Sequence, residues 1–335
     1  MLESQAGEPV EVEIGDADAG ARLDVVLVRR VEGMSRREAK RLIDAGKVRV
    51  NGRRARKGAA VGAGDRIVLE ERPLARTFEA APDPAAPLEI IHEDRWIVAV
   101  SKPAGMPSHP LRPGETGTLA GALVARYPEM ASVGYSPREP GIIHRLDTDT
   151  SGLVLAARDV STFDTLREAL EAGRIEKRYI ALCAGQVDAP RTVSIPLAPH
   201  PRDKRKVLAC EHARDAARYR ARPAVTEILQ SEPTRVEVDR VEVDPTRVEA
   251  GVASLVRARS LAAYRHQIRA HLAAIGHPLF GDRLYGGPDL LGLERHFLHA
   301  SEIELAHPAS GEVMRLVSPL APDLVAALDR LRGDG

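Results

Sequence analysis

Gly141-Ile-Ile-His-Arg-Leu-Asp-Thr-Asp-Thr-Ser-Gly152 sets a tight run of polar side chains between two apolar stretches, Ile142-Ile143 and Leu153–Ala157. That pattern reads as a loop between two buried strands, and loops held by a rigid scaffold are where function concentrates. The loop offers two carboxylates, Asp147 and Asp149, beside His144 and Arg145. On residue chemistry alone, Asp147 is either a nucleophile or the structural cap of a turn.

The flanking sequence reads as strands with interspersed helices. Upstream, Ile90-Ile91 and Trp96–Val100 are apolar runs bounded by charge, which predicts buried strands. Downstream, the spacing of Phe163, Leu166 and Leu170 predicts a helix over Ser161–Ala172, stopped by Gly173. Ile175–Cys183 alternates like a strand. Residues 200–222 are polar and basic and predict a loop or hairpin. Residues 224–258 read as strands with turns at Pro233 and Pro245, and Tyr264–Ile275 as a helix closed by Gly276.

The N-terminal part differs in charge. The whole chain is neutral, with 48 Lys+Arg against 48 Asp+Glu. Between Arg22 and Glu70, however, there are 14 Lys+Arg and 6 Asp+Glu, a net of +8, so the remainder carries −8. Arg22 to about Val31 reads as a first helix. Ser35-Arg36-Arg37-Glu38 has the form of a capping box opening a second helix. That helix buries Ala39, Leu42 and Ile43 and sets Arg36 with Lys40, and Arg37 with Arg41, on its other side at i, i+4 spacing. A strand over Lys47–Val50 leads into Asn51-Gly52, a strong tight-turn signal. Arg49, Arg53, Arg54, Arg56 and Lys57 extend the basic surface. Such convergent charge suits phosphates, whose neutralisation releases counterions. Residues 72–87, rich in Ala and Pro, predict a linker. The expected organisation is an entry segment (1–19), a basic module (20–71), the linker (72–87) and a large domain (88–330).

Composition narrows the function classes. There is no Walker loop, dinucleotide fingerprint or His-Glu-x-x-His. Two cysteines, Cys183 and Cys210, make neither a disulfide framework nor a paired-cysteine zinc site. No cofactor and no metal are expected. No apolar run reaches eighteen residues, and the N-terminus lacks the basic start and apolar stretch of a secretory signal. A cytoplasmic, monomeric chain with no membrane association is expected.

The motifs, taken together, resemble a known family. His144–Gly152 looks like the signature of the RluA-type pseudouridine synthases. Ser101-Lys102-Pro103-Ala104-Gly105-Met106 resembles that family's Lys-Pro-Ala-Gly segment, and Glu176-Lys177-Arg178-Tyr179 its Lys-x-Tyr strand. His266-Gln267-Ile268-Arg269, followed by Gly276-His277-Pro278 and Gly281-Asp282, resembles its third motif. Leu298-His299-Ala300 with His307-Pro308 resembles its last segment. The five fall in the family's order over about residues 88–320. Residues 20–70 similarly resemble the alpha-L RNA-binding module, through Arg22-Leu-Asp24, the Ser35–Ile43 helix and Gly46–Gly52.

The resemblance implies an α+β fold: a catalytic domain on a mixed, mostly antiparallel sheet, joined to a small N-terminal alpha-L RNA-binding domain. It implies an isomerase that converts uridine to pseudouridine in RNA, with 23S ribosomal RNA the expected substrate. Asp147 matches the family's nucleophile. Tyr179 matches a tyrosine that stacks on the base and is a candidate for proton removal. Arg269 matches the cation that pairs with the aspartate, and Arg145 an arginine that enters the RNA as the target base leaves the stack. His144 and Lys102 are placed with the RNA-binding residues, as are Arg36, Arg37, Lys40, Arg41, Lys47 and Arg49. For His144 and Asp149 a structural role in the loop weighs more, and Lys102 either touches phosphate or caps a turn. One departure stands out: Ala263-Tyr264-Arg265 replaces the family's usual Gly-Arg-Thr. The competing readings are a non-catalytic RNA-binding or ribosome-assembly protein on the same fold, and a hydrolase using paired carboxylates.

Overall fold

The computed structural model describes residues 9–31, 34, 36–56, 58–70, 78–235, 252–261, 264–290 and 292–332. The chain divides into two compact units, Met1–Phe78 and Glu79–Gly335.

The smaller unit contains β1 (Val10–Glu13), α1 (Leu23–Arg30), α2 (Arg36–Asp44), β2 (Val48–Val50), β3 (Arg53–Arg54) and β4 (Arg66–Leu69). Its strands form an antiparallel sheet in the order β1-β4-β2-β3. The apolar positions of α2 (Ala39, Leu42, Ile43) pack with Val26 and Leu27 of α1 and with Val48, Ile67 and Leu69 of the sheet. Asn51 and Gly52 both have positive φ, 51° and 77°, as a two-residue turn between twisted strands requires. The Asn51 side chain also ties the turn to β4: its Nδ2 donates to Asp65 and its Oδ1 accepts the Arg66 N–H. The predicted capping serine, Ser35, lies outside the described residues.

The larger unit carries β5 (Glu89–Glu93), β6 (Ile97–Lys102), α3 (Leu119–Arg126), β7 (Ser151–Ala157), α4 (Val160–Glu171), β8 (Glu176–Ala184) and β9 (Arg191–Val193). It continues with β10 (Leu197–Pro199), β11 (Val207–Ala209), α5 (Ala213–Tyr219), β12 (Thr226–Arg235), β13 (Val252–Ser260), α6 (Gln267–Ala274), β14 (Leu298–Ala306), β15 (Val313–Val317) and α7 (Pro322–Arg332). Nine strands make one sheet, β5-β6-β7-β14-β8-β13-β12-β9, with β15 on β14; β10 and β11 form a separate hairpin. Among the described residues only β7 against β14 is parallel, so the sheet is mixed and mostly antiparallel. Every residue of β7 is buried, because its two faces feed two cores. Val154 and Ala156 join the core of α3 and α6, while Leu153, Leu155 and Ala157 join that of α4. Tyr179 and Leu146 lie in the α3/α6 core, and that face carries the functional loop.

Several sequence expectations change in detail. Residues 79–87 of the expected linker pack into the larger unit: Ala80 is buried and donates its N–H to Pro137 O, and the Asp83 N–H bonds to Gly121 O. Residues 200–222 are more ordered than a loop, holding β11 and α5 as well as the hairpin's turn. Pro233 makes no turn. It sits within β12 opposite Ser254, where β9, paired only with Thr226–Ile228, leaves the other edge without a described partner, a position that tolerates a residue lacking N–H. Pro245 and Ala263 lie outside the described residues.

Candidate active site

The Asp147 loop is held from several directions. Before it, Gly141–Ile143 runs against β7, with Ile143 N–H bonding to Leu155 O and Ala157 N–H to Gly141 O. After it, Gly152 adopts φ 113°, and any Cβ there would overlap the Ala300 carbonyl of β14, so the close parallel pairing requires glycine. Ser108 Oγ donates to Leu146 O at 2.8 Å. Arg295 donates to Asp149 O at 3.0 Å and Ser151 Oγ at 3.1 Å, while gripping Asp323 with two bonds. Thr150 Oγ1 lies 2.7 Å from His296 Nε2.

Lys102 is the innermost of these anchors. Its ammonium, almost wholly buried, donates to Pro103 O and Met106 O at 2.8 Å and to Thr148 O at 3.0 Å. Burial pushes its pKa down to about 7, opposed by the charges of Asp147 and Asp149. Three carbonyls match the three hydrogens of an ammonium. Of its two expected roles, the geometry therefore supports holding the loop, and no donor remains for a phosphate. His144 is likewise buried and structural: its Nε2 accepts the Leu155 N–H at 3.3 Å, and burial pushes the ring down to about 3, so it is neutral. It lines the cleft that holds Asp147, with no charge to offer a phosphate. Asp149 is exposed, and its backbone carbonyl, which accepts from Arg295, ties it into the loop.

So mounted, Asp147 meets Arg269, whose Nη1 donates to Asp147 Oδ2 at 2.9 Å. Arg269 is the third residue of α6 and buried, and its other nitrogens grip the fully buried Asp282 at 2.6 and 2.8 Å. Burial opposes the charged guanidinium, but Asp282 and then Asp147 more than offset it and raise its pKa. Arg269 is thus oriented by Asp282 and offers one remaining edge to Asp147. Asp147 Oδ1 has no hydrogen-bond partner among the described residues.

His266, at the start of α6 with φ 55°, places Nε2 3.7 Å from Asp147 Oδ2 and Nδ1 3.1 Å from the Tyr285 hydroxyl. Burial pushes it down to about 4, against the pull of Asp147. A neutral imidazole beside the carboxylate adds no second counter-charge. Positive φ is uncommon for a non-glycine residue, and such outliers cluster at functional sites.

Asp147 and His266 line a cleft of about 690 Å³ that also takes in Tyr179 and Arg145, with Arg269 and Asp282 behind it. Tyr179 is nearly buried on β8, and burial, followed by the Asp147 charge, raises its phenol pKa. A phenol shifted that way stays protonated at neutral pH, so little phenolate is present to take up a proton. Arg145 is half-exposed and donates to Glu139 at 2.8 Å, with His109 3.3 Å from the same carboxylate.

The structure therefore brings Asp147, Arg269 and Tyr179 together with Arg145 at the rim. Sequence reasoning gave no role to Asp282, His266, Tyr285 or Arg295. Gly281-Asp282 and His266 stood in the quoted motifs, but nothing in their spacing indicates which partner each meets. In the smaller unit Lys40 and Arg41 are exposed on α2, whereas Lys47 and Arg49 both meet Glu70, at 3.9 and 2.7 Å. The side chains of Arg36 and Arg37 lie outside the described residues. Among the described residues, no group of three or more His, Cys, Asp or Glu is placed to hold a metal, and no helix is long and apolar enough to cross a membrane.

Comparison with known proteins gives two family matches: RNA pseudouridylate synthase over residues 96–274 and S4 domain over residues 21–67. A ribosomal large subunit pseudouridine synthase D from Xanthomonas campestris pv. campestris is 31% identical, over 99% of this chain and 97% of that protein. One from Haemophilus ducreyi is 34% identical, over 94% and 92%. Among solved structures, human RNA pseudouridylate synthase domain containing 1 superposes with a TM-score of 0.52 at 23% identity, covering 73% of this chain and 89% of that one.

Proposed function

The chain belongs to the RNA pseudouridylate synthase family, and we propose that it isomerises uridines of large-subunit ribosomal RNA with Asp147 as the nucleophile. The relatives named for that substrate match nearly the full length of this chain, which supports the choice of RNA. The observation that carries the assignment of Asp147 is its asymmetric setting: Oδ2 is held by Arg269 while Oδ1 has no partner among the described residues.

The reaction breaks the bond between C1′ and N1 of uracil, turns the base and joins C1′ to C5; C5 gives up its proton and N1 takes one up, so the composition is unchanged. No atom is gained and no electron is transferred, so a carboxylate and a scaffold suffice. A nucleophile splits one hard step into easier ones. The Arg269 guanidinium orients Asp147 by donating to its Oδ2, and Asp282 keeps Arg269 aimed at it. Tyr179 supports the detached base. Arg145 leaves Glu139 and fills the space that the flipped nucleotide vacates, which offsets part of the few kcal/mol of unstacking. The basic surface of the smaller unit, with Lys40 and Arg41 on α2, holds flanking RNA through its phosphates.

The test compares the wild-type protein with Asp147→Asn on large-subunit ribosomal RNA transcribed without modifications. Pseudouridine is mapped by carbodiimide adducts that stop primer extension. Stops produced by the wild type alone support both the activity and the assignment. No stops from either protein, with RNA still bound, would favour a non-catalytic RNA-binding role.

A further inference from the structure

Beside the active-site cleft lies a second cavity of about 390 Å³, formed where the β10–β11 hairpin approaches the start of α6. Its charged lining residues are Lys204, Arg222 and Arg265, with His200 and Tyr264, and among the described residues no acid contributes to it. Lys204 and Arg222 have no hydrogen-bonding or ionic partner for their side chains among the described residues. Asp203, the nearest acid in sequence, is occupied by the Arg205 side chain at 3.0 and 2.9 Å. Arg265 donates to the carbonyls of Lys204 and Lys206, both at 2.9 Å, which orient its guanidinium without neutralising it. Arg222 is fixed to the hairpin by reciprocal backbone bonds with Leu197. His200 Nδ1 accepts the Asp203 N–H at 2.9 Å, so the ring carries its hydrogen on Nε2.

Three cations held around one concave space repel one another unless an anion enters. The size of the cavity is within the usual span of small-ligand pockets, roughly 300–1,000 Å³. Tyr264 and Arg265 line this cavity and the active-site cleft alike, so a strand whose target nucleotide occupies the cleft passes directly to it. We propose that this cavity is a subsite for a backbone phosphate of a nucleotide neighbouring the target uridine, held by Lys204, Arg222 and Arg265, with the Tyr264 ring against the adjoining sugar or base. The subsite rests on the RNA isomerase reading above. It makes the β10–β11 hairpin a clamp that selects single-stranded RNA next to the flipped base, through charge and stacking rather than base-edge hydrogen bonds.

The test uses the full-length protein and its Lys204→Gln/Arg222→Gln double variant. Both positions are exposed and the substitutions spare the Asp147–Arg269–Asp282 chain, and a matching circular dichroism spectrum and melting temperature establish that the variant is folded. The RNA is unmodified large-subunit ribosomal RNA transcript, partially ethylated at its phosphates. Expected are a KM raised about 10-fold or more, saturating turnover changed much less, and a salt slope of binding reduced by about 1. Ethylation of a phosphate near the modified uridine should block wild-type binding and leave the variant indifferent. Equal salt slopes and the same interference pattern in both proteins would overturn the subsite. Binding and interference are read without turnover, so a wild type that binds RNA but forms no pseudouridine contradicts the isomerase reading while the subsite is still judged on those two measurements.

Discussion

At the scale of the residue, Asp147 stands at the end of a chain of charges, Asp282–Arg269–Asp147, of which only the last member touches the open cleft. Asp282 is a positioning residue. Asp282→Asn removes the buried counter-charge of Arg269, and breaking a buried pair from one side costs about 3–5 kcal/mol. Urea unfolding should register that loss, with turnover falling further as Arg269 loses its aim. Unchanged stability and turnover would count against the relay. Asp147 was legible in the sequence because its motif is contiguous. Asp282 stood in plain view beside Gly281, but its role depends on a pairing across 13 residues that no periodicity encodes. Lys102 shows the opposite case: its position in a motif left two roles open, and burial with three carbonyl acceptors supports one.

At the scale of the element, the functional loop is stiff because its neighbours satisfy its backbone. Lys102→Met leaves three carbonyls without their donor and should destabilise the protein on the order of 3 kcal/mol. Turnover should drop while RNA affinity changes little; an unaffected kcat would mean that the loop holds its form unaided. The strands and long helices were readable from apolar periodicity. What periodicity did not give was the start of α6. Apolar spacing continues back to Tyr264, yet the helix begins at Gln267, because His266 takes a positive φ to bring its ring near Asp147. Pro233 misled for a similar reason, since a proline marks a turn only where its strand needs the missing N–H, and at an edge with no partner among the described residues it does not.

At the scale of the whole molecule, two properties follow from how charge and histidine are distributed. The larger unit keeps several histidines neutral by burial, with His144 pushed down to about 3, His266 to about 4 and His296 well below its usual value. An unfolded histidine titrates near 6.5. Above that pH neither state binds the proton and the full contribution is present; as pH falls from 6.5 toward 4 the unfolded chain takes up protons that the folded chain refuses, and stability is lost. Buried His144 alone accounts for roughly 3 kcal/mol of the loss between pH 6.5 and 4. The urea midpoint should fall steeply between pH 6.5 and 4, and less steeply in His144→Gln; a flat profile would contradict buried neutral rings. The second property is a division of labour. Deleting residues 1–78, the smaller unit, should weaken RNA binding about 10-fold or more and flatten its salt dependence, while turnover on a saturating short RNA is largely kept. An equal loss of turnover would mean that the smaller unit takes part in the chemistry. The basic balance of that unit was readable by counting charges, but the pairing of Lys47 and Arg49 with Glu70, which reduces its effective charge, emerged only from the fold.

The most direct test of the central claim is release of tritium from RNA labelled at C5 of uridine, because that hydrogen leaves only when C5 bonds to C1′. The account predicts steady release by the wild-type protein and a rate lowered by more than about 10⁴-fold in Asp147→Asn, with RNA binding and folding intact. Release at a comparable rate by Asp147→Asn would contradict it, for the chemistry would then not depend on the carboxylate that Arg269 holds.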